Sequence, residues 1–118
     1  MAKTILVVDD DPNIRDTAKD ILEDAGYTIL TAESCAEALQ ALAASSVDVA
    51  IVDFNLPDGH GADLAVRAKE IQPKLAVLLL TGESHVNLGP AQTVIYSVLT
   101  KPVDPTALIQ ILRKIVDS

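Results

Sequence analysis

Two short apolar runs, each stopped by aspartate, constrain this chain more than any other feature. Ile5-Leu6-Val7-Val8 leads into Asp9, Asp10 and Asp11, and the run from Val47 to Val52 leads into Asp53. Apolar residues in succession mark a strand buried on both faces, as in a parallel sheet covered by helices on two sides. If the two strands are neighbours, their terminal carboxylates crowd into one small volume. Like charges that close raise each other's pKa and cost stability unless a cation sits among them. The pattern points to a divalent metal and a chemical site rather than a solvated charge run.

The rest of the chain alternates in the same way. Asp11-Pro12 offers an N-cap followed by proline at the first helical position. Ile14, Ala18, Ile21, Leu22 and Ala25 recur with helical spacing, and Gly26 closes the helix. Tyr27 to Thr31 reads as a second strand. Ser34-Cys35-Ala36-Glu37 has the form of a capping box ahead of a stripe made by Ala38, Leu39, Ala41 and Leu42. Leu56 to Gly61 reads as a loop, since it holds a proline and two glycines. Ala62, Leu64, Ala65, Ala68 and Ile71 form the next helical stripe, which ends before Pro73. Leu75 to Leu80 and Val94 to Leu99 read as the fourth and fifth strands. Asp104-Pro105 opens a last helix carrying Leu108, Ile111, Leu112 and Ile115. Between Thr81 and Lys101 the expected helix meets Asn87, Gly89 and Pro90. An interior proline costs about 3 kcal/mol, so this fourth helix is expected to be short, displaced or irregular.

Strand alternating with helix means an α/β fold with a parallel sheet and helices on both faces. Ligands of such sheets bind beyond the carboxyl ends of the strands, where strand order reverses. Asp9 and Asp10, Asp53, Thr81 and Lys101 all stand at such ends. Carboxylates are hard oxygen ligands suited to Mg2+. A carboxylate can attack phosphorus to form an acyl phosphate, a lysine can offset the charge on the transferring group, and a threonine hydroxyl can donate to it.

The totals set the remaining bounds. A length of 118 residues suits one domain over 1–118 and is short for two. A hydrophobic share of 49% rules out a disordered acidic tail. The net charge of -8, with no basic stripe, argues against direct nucleic-acid binding. The single Cys35 cannot form an internal disulfide, the apolar runs are too short to span a membrane, and the N-terminus does not read as a signal peptide. A cytoplasmic protein without membrane contact is expected.

The chain resembles the response regulator receiver domain, the phospho-acceptor module of two-component signalling. The resemblance rests on Val7-Val8-Asp9-Asp10-Asp11-Pro12, on Val52 to Gly61, on Leu80-Thr81-Gly82 and on Leu99-Thr100-Lys101-Pro102, and it covers essentially the whole chain. It implies a flavodoxin-like doubly wound fold, five strands in the order 2-1-3-4-5, with Asp53 as the phosphorylated residue. It further implies Mg2+ held by Asp10, Asp53 and the backbone carbonyl of Asn55, with Asp9 helping through water. Thr81 and Lys101 would contact the phosphoryl group, and the Lys101-Pro102 bond would be cis. Asn55 and Glu83 match the pair that tunes hydrolysis of the acyl phosphate in the chemotaxis response regulator, which implies a short-lived phosphorylated state. Two departures stand out. Val98 occupies the place of the aromatic that swings inward on activation, and Tyr96 does not take over that role. The segment from Thr81 to Lys101 is also about two residues shorter than in the chemotaxis protein.

Other polar residues read more plainly. Asp11 is a helix cap, Asp58 and Gly59 are turn residues, His60 and His85 are loop histidines without partner ligands, and Cys35 is a small structural residue. The function expected is a receiver that takes a phosphoryl group from a histidine kinase or phosphotransfer protein and engages an output partner. It would be a stand-alone regulator or part of a larger protein. The alternative is a Mg2+-dependent phosphohydrolase working through an aspartyl phosphate. Such hydrolases need a second acid two residues after the nucleophile, and this chain has Asn55 there.

Overall fold

A computed structural model describes residues 3–83 and 87–116; the reading of His85 lies outside these. The elements run β1 (Thr4–Val8), α1 (Pro12–Asp24), β2 (Thr28–Ala32), α2 (Cys35–Ala44) and β3 (Val49–Asp53). They continue with β4 (Asn55–Leu56), β5 (Gly59–His60), α3 (Gly61–Ile71), β6 (Ala76–Thr81), a 3-10 helix (Gly89–Thr93), β7 (Ser97–Thr100) and α4 (Pro105–Val116).

The five long strands form one parallel sheet in the order β2-β1-β3-β6-β7, which is 2-1-3-4-5 when the long strands alone are counted. This is the flavodoxin-like architecture expected. The pleat splits the apolar runs between two cores. Leu6, Val8, Ala50, Val52, Val77 and Leu79 pack with Ala38 and Leu42 of α2 and with Leu64, Ala65 and Ala68 of α3. Ile5, Val7, Val49, Ile51, Leu78 and Leu80 pack with Leu22 of α1 and with Leu108 and Leu112 of α4. Each such aliphatic side chain contributes about 1.5–3 kcal/mol when fully buried. Strands sandwiched this way have no polar face, which is why their first polar residues fall at the ends.

The caps act locally as read. Asp11 accepts from the Asn13 N–H at 2.9 Å ahead of Pro12. Gly26, at φ 101°, turns the chain out of α1 in a conformation that a Cβ would oppose. Ser34 Oγ accepts from the Glu37 N–H at 3.2 Å, while Glu37 reaches back to the N–H of Glu33 rather than to that of Ser34.

Two expectations are corrected and a third is met. Leu56 to Gly61 is not plain loop. Asn55 pairs with His60 and Leu56 with Gly59 across the turn Pro57-Asp58, and Gly61 already belongs to α3. The last strand starts later than Val94, because the N–H groups of Val94 and Ile95 both bond the Ala91 carbonyl and keep the chain curled. Where a fourth helix would cross, the described residues hold only the 3-10 helix opened by Gly89-Pro90, in keeping with the irregularity expected there.

Candidate functional site

The site forms where β1, β3, β6 and β7 end side by side. Asp9 follows β1, Asp53 ends β3, Thr81 ends β6 and Lys101 follows β7. Carboxylate oxygens of Asp9, Asp10 and Asp53 lie within 4.8 Å of one another. Lys101 Nζ stands 3.0 Å from Asp53 Oδ1 and 3.4 Å from Asp9 Oδ2. The Lys101-Pro102 bond is cis, as the resemblance implied. The five residues expected at one locus are therefore together.

Their environments differ. Asp9 is only 2% exposed, and its second oxygen, Oδ1, accepts from the Asp11 N–H at 3.0 Å. Burial raises the Asp9 pKa, assisted by the charge of Asp53; the Asp11 N–H and Lys101 lower it only in part. Burial works against the Lys101 ammonium, yet its hydrogen bond to Asp53 and the charges of Asp9 and Asp53 outweigh it and raise the pKa. One ion pair thus has unequal ends. Lys101 keeps 27% of its side chain in water and stays charged readily, whereas the enclosed Asp9 is charged at a cost. Asp10 is exposed and in no ion pair among the described residues.

The remaining predicted residues frame this centre. Thr81 is 2% exposed, and its Oγ1 accepts from the Glu83 N–H at 3.1 Å, which leaves the hydroxyl proton free to donate elsewhere. Asn55 and Glu83 are exposed on the two flanking segments. His60 stacks at a tilt on Phe54, with ring centroids 6.0 Å apart, and is in no metal-ligand cluster among the described residues.

One supporting residue, Arg15, was not singled out in the sequence, and a second, Asp58, was read only as part of a turn. Arg15 NH1 donates to the Asp9 carbonyl at 2.7 Å, with NH2 at 3.7 Å from Glu33. Helical side chains point back toward the N-terminus, so a long basic residue one turn after the Asp11 cap was the available signal. Asp58 is more than a turn residue: its carboxylate accepts from the N–H groups of Cys35 and Ala36 at 2.8 and 3.0 Å. Burial, followed by the charge of Asp58, pushes the Cys35 thiol up to about 11, which disfavours the thiolate at neutral pH. Gly61 is required by close approach, since a Cβ there would collide with the Asp53 carbonyl.

The chain is similar to known proteins over nearly all its length. A family profile described as the response regulator receiver domain matches residues 5–113. The transcriptional regulatory protein GlrR of Escherichia coli is 36% identical over 108 residues, covering 90% of this chain and 24% of that protein. A CheY-like response regulator receiver domain from Methanospirillum hungatei superposes with a TM-score of 0.93 at 29% identity, covering 99% of this chain and 95% of that one. The response regulator TrrA of Thermotoga maritima, solved in complex with Mg2+ and BeF, has a TM-score of 0.87 at 32% identity, covering 96% and 98%. The chain spans about a quarter of the length of the first curated regulators it matches. An acid cluster answered by one lysine at the carboxyl edge of a 2-1-3-4-5 sheet, with this match along the chain, places it in the response regulator receiver domain family of two-component signal transduction.

Proposed function

We propose that residues 1–118 act as one cytoplasmic receiver domain, phosphorylated on Asp53 by a histidine kinase or phosphotransfer protein and read by an output partner. One observation carries this assignment: Lys101 Nζ lies 3.0 Å from Asp53 Oδ1 at the focus of the acid cluster. The free oxygen of Asp53 attacks phosphorus as the bond to the donor breaks. Lys101 holds the carboxylate in place and offsets charge on the incoming group, and the buried Thr81 hydroxyl donates to one of its oxygens.

The donor set fits Mg2+, since hard carboxylates converge with, among the described residues, one lysine to offset them. Asp10, Asp53 and the Asn55 carbonyl would hold the ion. Asp9, whose two oxygens already serve Asp11 and Lys101, would act through water. When bound, the ion supplies positive charge against the phosphoryl oxygens. Asn55 and Glu83 flank the acceptor, exposed to the water that would hydrolyse it, so the phosphorylated state is short-lived. The phosphohydrolase alternative gains no support, because Asn55 cannot serve as the second acid. The acidic surface, at net charge -8, favours protein partners with basic patches over nucleic acid.

The test is incubation with acetyl phosphate and Mg2+ followed by intact mass. One added phosphoryl group, absent from Asp53→Asn and lost within minutes to a few hours, is the expected result. An adduct that survives the substitution overturns the acceptor assignment, and one that persists for many hours overturns the short lifetime.

A further inference from the structure

The turn that follows Asp53 is anchored at two points. At its base the Gly61 N–H donates to the Phe54 carbonyl at 2.7 Å. At its tip Asp58 grips the first two residues of α2, through the Cys35 N–H at 2.8 Å and the Ala36 N–H at 3.0 Å. That helix end already has its own cap in Ser34. What the second, charged acceptor adds is a tie between two separate segments, 22 and 23 residues apart in the chain. From Asn55 to His60 only Leu56 is buried, so side-chain packing holds little of the hairpin in place.

Asn55 lies on this hairpin, two residues past Asp53. Mg2+ demands near-ideal octahedral geometry, so a ligand on a loose segment binds it poorly. Resting on the reading that the Asn55 carbonyl is a metal ligand, we propose that Asp58 is a positioning residue of the metal site. Its latch to α2 holds the hairpin so that the Asn55 carbonyl faces the metal together with Asp10 and Asp53. Loss of the latch weakens metal binding although no ligand is removed. Partners bonded directly to metal ligands are worth about 10–100-fold in affinity; Asp58 acts through the backbone, three residues away, and about 3–10-fold is expected.

The experiment titrates the full chain with Mg2+ alone, following backbone amide shifts. Wild type, Asp58→Ala and Ser34→Ala are compared. Both substitutions weaken the α2 start, but only the first frees the hairpin. The expected result is an Mg2+ dissociation constant about 3–10-fold higher in Asp58→Ala and unchanged in Ser34→Ala, with faster hydrogen exchange at the Gly61 amide in the first variant only. Unchanged affinity in both, or equal weakening in both, overturns the proposal and leaves Asp58 as a cap. Should Asp58→Ala fail to fold, Asp58→Asn keeps one acceptor oxygen; intermediate affinity then supports the latch and wild-type affinity overturns it. Absence of saturable binding in wild type, or wild-type affinity in Asp10→Asn, overturns the metal reading itself. That failure shows without any Asp58 variant.

Discussion

Asp9 is the residue on which the cost of the site is most visible. It is enclosed, raised by burial, and shares one lysine with Asp53. A carboxyl whose folded pKa lies above its unfolded value favours folding in its acid form. That contribution is present below the unfolded pKa and is lost as pH rises through the folded one. At neutral pH the Asp9 charge therefore opposes folding. Asp9→Asn, which can still accept from the Asp11 N–H, is expected to unfold at higher urea than wild type at pH 7 in EDTA. The gap should close as pH falls below about 4, where wild-type Asp9 is protonated as well. A lower midpoint for the variant at pH 7 would mean that the Lys101 ion pair outweighs burial. The acids, Thr81 and Lys101 were legible because each interrupts or ends an apolar run, and parallel strands bring such ends together. Arg15 and Asp58 were not, because they bond backbone groups of other segments, and a backbone partner leaves no mark in residue type.

Among the elements, the helix start at Gly61 shows how tightly the acceptor strand is packed. Its N–H closes the turn onto Phe54, and its missing side chain makes room for the Asp53 carbonyl, Leu79 and Val52. In Gly61→Ala the new methyl meets backbone rather than the end of a flexible side chain, so β3 or α3 must shift. The expected loss is about 1–3 kcal/mol in urea unfolding, with slower phosphorylation by acetyl phosphate because Asp53 moves with its carbonyl. Wild-type stability and rate in this variant would show that α3 shifts without strain. In the sequence Gly61 is one more glycine of a loop, and the same Pro57 and Gly59 that suggested a loop also permit the small hairpin. The 3-10 helix was half legible. Gly89 and Pro90 announced that a regular helix would not form, but the two hydrogen bonds to Ala91 that delay β7 depend on a local fold no periodicity shows.

At the scale of the molecule, the sheet order was readable because strands without a polar face must be covered on both sides, and few right-handed topologies do that. What periodicity does not show is how a signal would leave the site. Val98 stands on β7 at 36% exposure and Tyr96, just before that strand, at 56%. Neither is packed inward, and Val98 carries no ring that could swing. The acid cluster, by contrast, makes a definite thermodynamic statement. Three carboxylates converge and two of them, Asp9 and Asp53, share Lys101, so folding brings together charge that a divalent cation would relieve. A ligand that binds only the folded chain stabilises it by about 2.7 kcal/mol at a hundred times its dissociation constant, which raises the melting temperature by several degrees at this size. Melting in saturating MgCl2, compared with NaCl of equal ionic strength, should show that rise. EDTA should abolish it, and Asp10→Asn should reduce it sharply. Equal rises in the two salts would mean that general screening of the -8 net charge, rather than a bound ion, relieves the repulsion.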